Sequence, residues 1–207
     1  SEDRPELWEE DMASAAKKVG CALVAALGVA TVCLHPLPTA AADLTRANVR
    51  AEARLISDIN ADRLAAGVGP LAHDTRLDAI ARYRARFLVE HGAFTHCANL
   101  AASCPPSQYH FALLLRRAGV TYAYAGENLA EDTTSGGQLA DQLNDDWMRS
   151  PGHHDQIVNP AFNATGFGVV CCTVLRDDQG VAVGNASVAV EEFAQEPPLT
   201  FGVLHRR

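Results

Sequence analysis

The chain predicts an α+β fold, with helices first and strands last. Two observations carry this. Between residues 44 and 149, apolar side chains recur at helical spacing in segments closed by glycine. Between residues 166 and 194 they form β-branched runs on either side of Asp177-Asp178-Gln179-Gly180, which is a hairpin signal. Helices and strands are segregated rather than alternating, which favours layers over a βαβ wind.

Residues 44–66 read as a first helix, with Val49, Ala53, Ile56, Ile59 and Leu64 inward and Gly67 as its stop. Gly67-Val68-Gly69-Pro70 is a turn. Asp74 caps a second helix that runs to about Glu90, with Leu77, Ile80, Ala81, Phe87 and Leu88 inward and Gly92 at its end. Residues 97–106 are a loop closed by Pro105-Pro106. A third helix covers 107–118. Its Leu113, Leu114 and Leu115 are read as core packing. A short extended piece leads into Gly126-Glu127-Asn128. A fourth helix covers 137–149, with Leu139, Leu143 and Trp147 on one face. The strands are 166–175 and 181–194, the second showing alternation at Val181, Val183, Val188 and Val190.

The 207 residues are 48% hydrophobic, enough for one domain with tails, and carry a formal charge of -8. There is no basic footprint for nucleic acid. Val19 to Leu34 is an apolar run preceded by Lys17-Lys18 and followed by Thr39-Ala40-Ala41-Ala42. These are the three parts of a secretory signal. The run is shorter than the roughly 20 residues a membrane span needs. Residues 1–42 are therefore an N-terminal extension and signal, with Met12 as the expected start. Residues 43–195 are the folded domain, and 196–207 a flexible tail. The protein is expected outside the cell or in the cell envelope, touching a membrane only through an uncleaved signal.

Four cysteines remain beyond the signal. Cys97 and Cys104 form the natural local disulfide in an exported chain. Adjacent Cys171 and Cys172 bridge elsewhere, pair with each other, or sit as small buried groups.

Three motifs supply chemistry: Phe94-Thr95-His96, Gly126-Glu127-Asn128-Leu129, and Trp147 through His153. His96, His153 and Glu127 together suit zinc or another divalent cation with an open position. The same groups suit general acid/base work. Asn128, Trp147 and Gly152 read as supports: Asn128 bonds backbone, Trp147 packs in the core, and Pro151-Gly152 forms a turn that aims His153. His91, His110 and His154 carry no motif and read as surface groups.

In order along the chain, these motifs resemble the CAP superfamily (cysteine-rich secretory proteins, antigen 5 and pathogenesis-related proteins), in its bacterial SCP-domain branch. The resemblance also rests on Ile59 to Arg63, Gly67 to Leu71, Asp74 to Leu77 and Gly166-Phe167-Gly168-Val169. It implies an α-β-α sandwich with a cleft lined by two His and two acids. Carried over, His96 and His153 are the imidazoles and Glu127 the first acid. The second acid's usual position holds Ser150 here, so Asp155, Asp146 or Asp145 are its candidates.

The resemblance implies a small apolar or envelope ligand in that cleft, with a metal beside it. Two other readings are open. One is a metal-assisted hydrolase in which zinc on His96 and His153 activates water and Glu127 takes its proton. The other is a cell-wall interaction module without a working cleft.

Overall fold

The computed structural model describes the backbone of residues 40–176 and 182–197, and the side chains of 46–171 and 185–197. The apolar run at 19–34, the turn at 177–180 and the end of the tail lie outside the described residues. The described chain holds five α-helices and a four-stranded sheet, so the α+β expectation is met.

Helix α1 (Ala40–Ala65) begins three residues ahead of the expected domain start. Its buried face differs from the one the apolar pattern predicts. Ala51, Leu55 and Ile59 are buried, whereas Val49 is 51% and Leu64 77% exposed. Glu52 and Arg63 belong to the buried face. A polar residue on the inward stripe counts as solvent-facing in a hydrophobic pattern, and the phase is misread.

Helix α2 (Thr75–His91) starts and stops as its caps dictate. The Asp74 side chain accepts from the Arg76 N–H, and Gly92, at φ 56°, donates its N–H to Leu88 and Val89 carbonyls. Leu77, Ile80, Ala81 and Leu88 are buried as expected, Phe87 is half-buried, and Asp78 and Arg84 join them. The third helix divides into a 3₁₀ turn (Pro106–Gln108) and α3 (His110–Arg117). There Leu115 is in the core and Leu114 packs against it. Helix α4 (Leu139–Arg149) buries Leu139, Leu143 and Trp147. Pro151-Gly152, read from sequence as a turn, instead open helix α5 (Pro151–Ile157). Proline at the first helical position has its φ preset and no N–H to leave orphaned, so it starts a helix readily.

The strands are β1 (Ala72–His73), β2 (Ala125–Asp132), β3 (Ala164–Arg176) and β4 (Ala182–Ala194), in the order β1-β3-β4-β2. β4 is antiparallel to β3 and β2, and β1 runs parallel to β3. Two-residue β1 is absent from the sequence reading. β2 is a full eight-residue strand where a short extended piece was expected. β4 is buried without a break from Ala186 to Ala194, because a central strand covered on both faces has no solvent side.

Helices cover both faces. On one, α1 and α4 bury Leu55, Ile59, Leu143 and Trp147 against Phe167 and Phe193. On the other, Ala81, Ala85 and Leu88 of α2 meet Leu129, Val188 and Val190. Gly166 and Gly168 set the second spacing. A Cβ on Gly168 would stand 2.2 Å from the Arg82 nitrogen, and one on Gly166 2.3 Å from that of Asp78. Beyond β1, the β3 edge is finished by side chains. The N–H groups of Phe167 and Val169 donate to Asp78 (2.9 Å) and Glu52 (3.0 Å). These carboxylates satisfy donors that an unpaired edge would leave open.

Cys97 and Cys104 form the expected disulfide, with Cα atoms 5.9 Å apart. Cys171 is disulfide-bonded. The ladder with β4 shifts register between Cys171 and Thr173, and the Cys172 side chain lies outside the described residues.

Candidate functional site

The site straddles the edge of β2. Glu127 is the third residue of that strand and is 1% exposed, facing α2. Its Oε2 accepts from Arg84 Nε at 2.8 Å, and its Oε1 meets His96 Nδ1 at 2.7 Å. Arg84 Nη2 also donates to Glu127 Oε1 (3.4 Å) and to the Thr95 carbonyl. A buried carboxylate needs such a partner, and one guanidinium here ties the strand to the segment carrying His96. The contact also sets the imidazole. Nδ1 points inward at a carboxylate, so it carries the proton, and Nε2 is left as the free nitrogen. The His96 side chain is 39% exposed.

The His96 segment is held from three sides. The Thr95 hydroxyl donates to the Ala101 carbonyl (2.6 Å), the Cys97–Cys104 disulfide closes the loop, and the His110 N–H donates to the His96 carbonyl (2.8 Å).

His153 arrives from the other side of β2, on α5. Asn128 Nδ2 donates to the His153 carbonyl (3.3 Å). Gln156 Nε2 donates to the Glu127 carbonyl (3.1 Å) and to Asn128 Oδ1 (3.2 Å). Gly126 leaves the room for this, since a Cβ there would stand 1.8 Å from Gln156 Oε1. Asn128 thus links β2 to the backbone and Gln156 of α5. The His153 ring makes no hydrogen bond to protein groups among the described residues. Burial first, and nearby His96 second, hold its pKa below the ordinary histidine value. His153 is therefore neutral at pH 7 and able to accept a proton or a metal.

The acids nominated from spacing lie elsewhere. The Asp155 side chain is 81% exposed beside His154. Asp146 accepts from Gln142 (3.0 Å) and Arg149 (2.6 Å), and Asp145 is 65% exposed. The acid beside Glu127 is Glu192, directly across the β2–β4 pair and fully buried. Burial and the Glu127 charge keep its carboxyl well above the usual range.

Among the described residues, no three His, Cys, Asp or Glu side chains stand together to hold a metal. Both Glu127 oxygens are engaged by Arg84 and His96. The donors left facing outward are the two imidazoles, with Glu127 behind one of them. Such a set fits a weakly held cation with open positions, in which Glu127 orients a ligand rather than being one.

Residues 56–186 match the profile of the CAP (cysteine-rich secretory protein) family. The chain belongs to this family. The CAP domain here is 29% identical over 119 residues to the uncharacterized protein YkwD of Bacillus subtilis, covering 58% of this chain and 42% of that one. Its fold is similar to that of an extracellular SCP-domain protein of Bacillus anthracis (TM-score 0.59, 18% identity). That match covers 77% of this chain and 45% of the other. It is also similar to an outer surface protein of Borrelia burgdorferi (TM-score 0.53, 19% identity), over 72% of this chain and 94% of that one. The chain thus spans under half the length of the two Bacillus proteins.

Within this CAP domain the sequence reading missed Arg84, Glu192, Gln156 and the burial of His110. A charged residue inside an apolar helix face was the available signal for Arg84. His110 is 9% exposed, its ring 4.4 Å from that of Phe87. Burial first, then Arg84, Arg117 and His91, lower its pKa to about 4. In the unfolded chain His110 titrates near 6.5. Falling pH then protonates the unfolded state first, so stability is lost from about 6.5 down to about 4. Urea midpoints measured across that range should fall less steeply in His110→Phe than in the unsubstituted protein.

Proposed function

We propose that this CAP domain is exported and binds a small ligand at the β2 edge, with His96 Nε2 and His153 as the presented groups. The observation that carries this is the Glu127 contact with His96 Nδ1 at 2.7 Å. It fixes one tautomer and turns the other nitrogen outward, beside a neutral second imidazole. Zinc or another divalent cation is the ligand class that two such nitrogens suit, and a bound cation would supply Lewis acidity to whatever joins it. Exposed Phe94 (49%) and Tyr124 (64%), near His96 and Glu127 in the chain, offer apolar surface to an organic ligand. Export rests on the signal pattern at 1–42. It is supported by the extracellular and outer-surface descriptions of the two structural relatives. No helix among the described residues is long and apolar enough to cross a membrane.

Binding is favoured over hydrolysis because Glu127, the base of the hydrolytic reading, is buried with both oxygens occupied. The test is a calorimetric zinc titration of the metal-stripped protein beside His96→Ala and His153→Ala. Saturable binding that both substitutions abolish supports one shared site. Absence of binding by the unsubstituted protein would remove the metal and leave cell-wall or apolar ligands as the search.

A further inference from the structure

Glu127 and Asn128 are neighbours on β2, so their side chains leave opposite faces of the sheet. Glu127 serves His96 from the α2 side. Asn128 faces the other way, and directly opposite it on β4 stands Glu191. That face is otherwise apolar: Ala189 and Phe193 of the same strand belong to the core with Phe167 and Trp147. Glu191 is 0% exposed there. A carboxyl group in such surroundings is costly unless its oxygens are engaged, and both are. The Thr165 hydroxyl shares its proton between Glu191 Oε1 (3.2 Å) and the Glu192 carbonyl (3.0 Å). Glu191 Oε2 accepts from Asn128 Nδ2 at 3.4 Å. The Asn128 amide is thereby used at both ends. Its Nδ2 serves Glu191 and the His153 carbonyl, and its Oδ1 accepts from Gln156. An amide can sit in two orientations that exchange its oxygen and nitrogen. Two acceptors on one side and a donor on the other allow only one of them.

We propose that Glu191 is a positioning residue for His153: from the rung opposite Asn128 it holds that amide in the one orientation that bonds both the His153 carbonyl and the Gln156 side chain, and so seats α5 against β2. The two imidazoles are then placed from opposite faces of one strand, His96 through Glu127 and His153 through Asn128. Glutamine at position 191 keeps an acceptor for Asn128 and turns its own N–H to the Thr165 oxygen. Leucine keeps the bulk and removes the acceptor.

The inference rests on the binding reading only in taking His153 as a presented group. Its test uses no ligand, so loss of one leaves the other standing. In the unsubstituted full chain, NMR should show two resolved Asn128 Nδ2 protons, protected from exchange with solvent. In Glu191→Leu their exchange should be about fivefold faster, the factor that one neutral hydrogen bond corresponds to. The His153 ring signals should shift in this variant while those of His96 stay in place. Glu191→Gln should retain the protection and the His153 signals. Val190→Ala, on the same strand but packed with α2 residues, controls for lost packing and should leave His153 unmoved. The proposal is overturned if the Asn128 amide exchanges freely in the unsubstituted protein. It is equally overturned if Glu191→Leu leaves His153 unchanged or moves His96 as much, or if Glu191→Gln disrupts His153. Should Glu191→Leu fail to fold, the unsubstituted spectrum and the glutamine variant decide.

Discussion

Replacing Arg84 with alanine should lower the free energy of unfolding by about 3–5 kcal/mol, the usual cost of removing one partner from a buried ion pair. The size follows from what is left behind. Glu127 and Glu192 are both buried, and Arg84 is the cation beside them. The Thr95 carbonyl would lose its donor as well. Arg84→Lys should recover only part of the loss, since a point charge cannot make the two-nitrogen contact with a carboxylate. Urea unfolding at neutral pH gives the answer. A loss below about 1 kcal/mol would mean that the pair behaves like an exposed one.

Arg63→Ala should be nearly as damaging, for a different reason. This guanidinium is 1% exposed. It donates to the carbonyls of Gly69 (2.8 Å), Ile157 (2.5 Å), Asn159 (3.0 Å) and Phe162 (3.2 Å). Each buried carbonyl left unpaired costs about 1–3 kcal/mol, so a loss of about 3 kcal/mol or more is expected. The effect also reaches the site. Ile157 is the last residue of α5, the helix that carries His153. Hydrogen exchange of α5 amides should accelerate more than that of α2 amides in this variant. Equal acceleration in both helices would show that Arg63 supports the fold without steadying His153.

How far the sequence reveals this molecule depends on what kind of residue carries each feature. Caps were readable: Asp74 and Gly92 bound α2 because their chemistry is local. So was the Cys97–Cys104 pair. The His96–Glu127 contact was readable only as motifs, since 31 positions separate its partners. Buried charge leaves only the faint signal of a charged residue inside an apolar face, as at Arg84, and hydrophobic patterning passes over it. Glu52, Arg63, Asp78, Arg84 and Glu192 all sit in the interior, and each breaks the apolar periodicity that locates a core. The phase of α1 and the acid beside Glu127 were lost for this one reason. Helix α5 was lost because Pro151-Gly152 reads as a turn, while its contacts with β2 through Asn128 and Gln156 are made only in the fold.

The central claim is that Glu127 holds His96 so that Nε2, together with His153, faces a ligand. Its most direct test is a zinc titration followed by NMR on isotope-labelled histidines. The account predicts a single Nδ1–H tautomer for His96 before zinc is added. On addition, the His96 Nε2 and His153 signals should shift along one binding curve, while the His91 signals stay fixed. A mixed tautomer at the start, or shifts of His96 and His153 on separate curves, would contradict it.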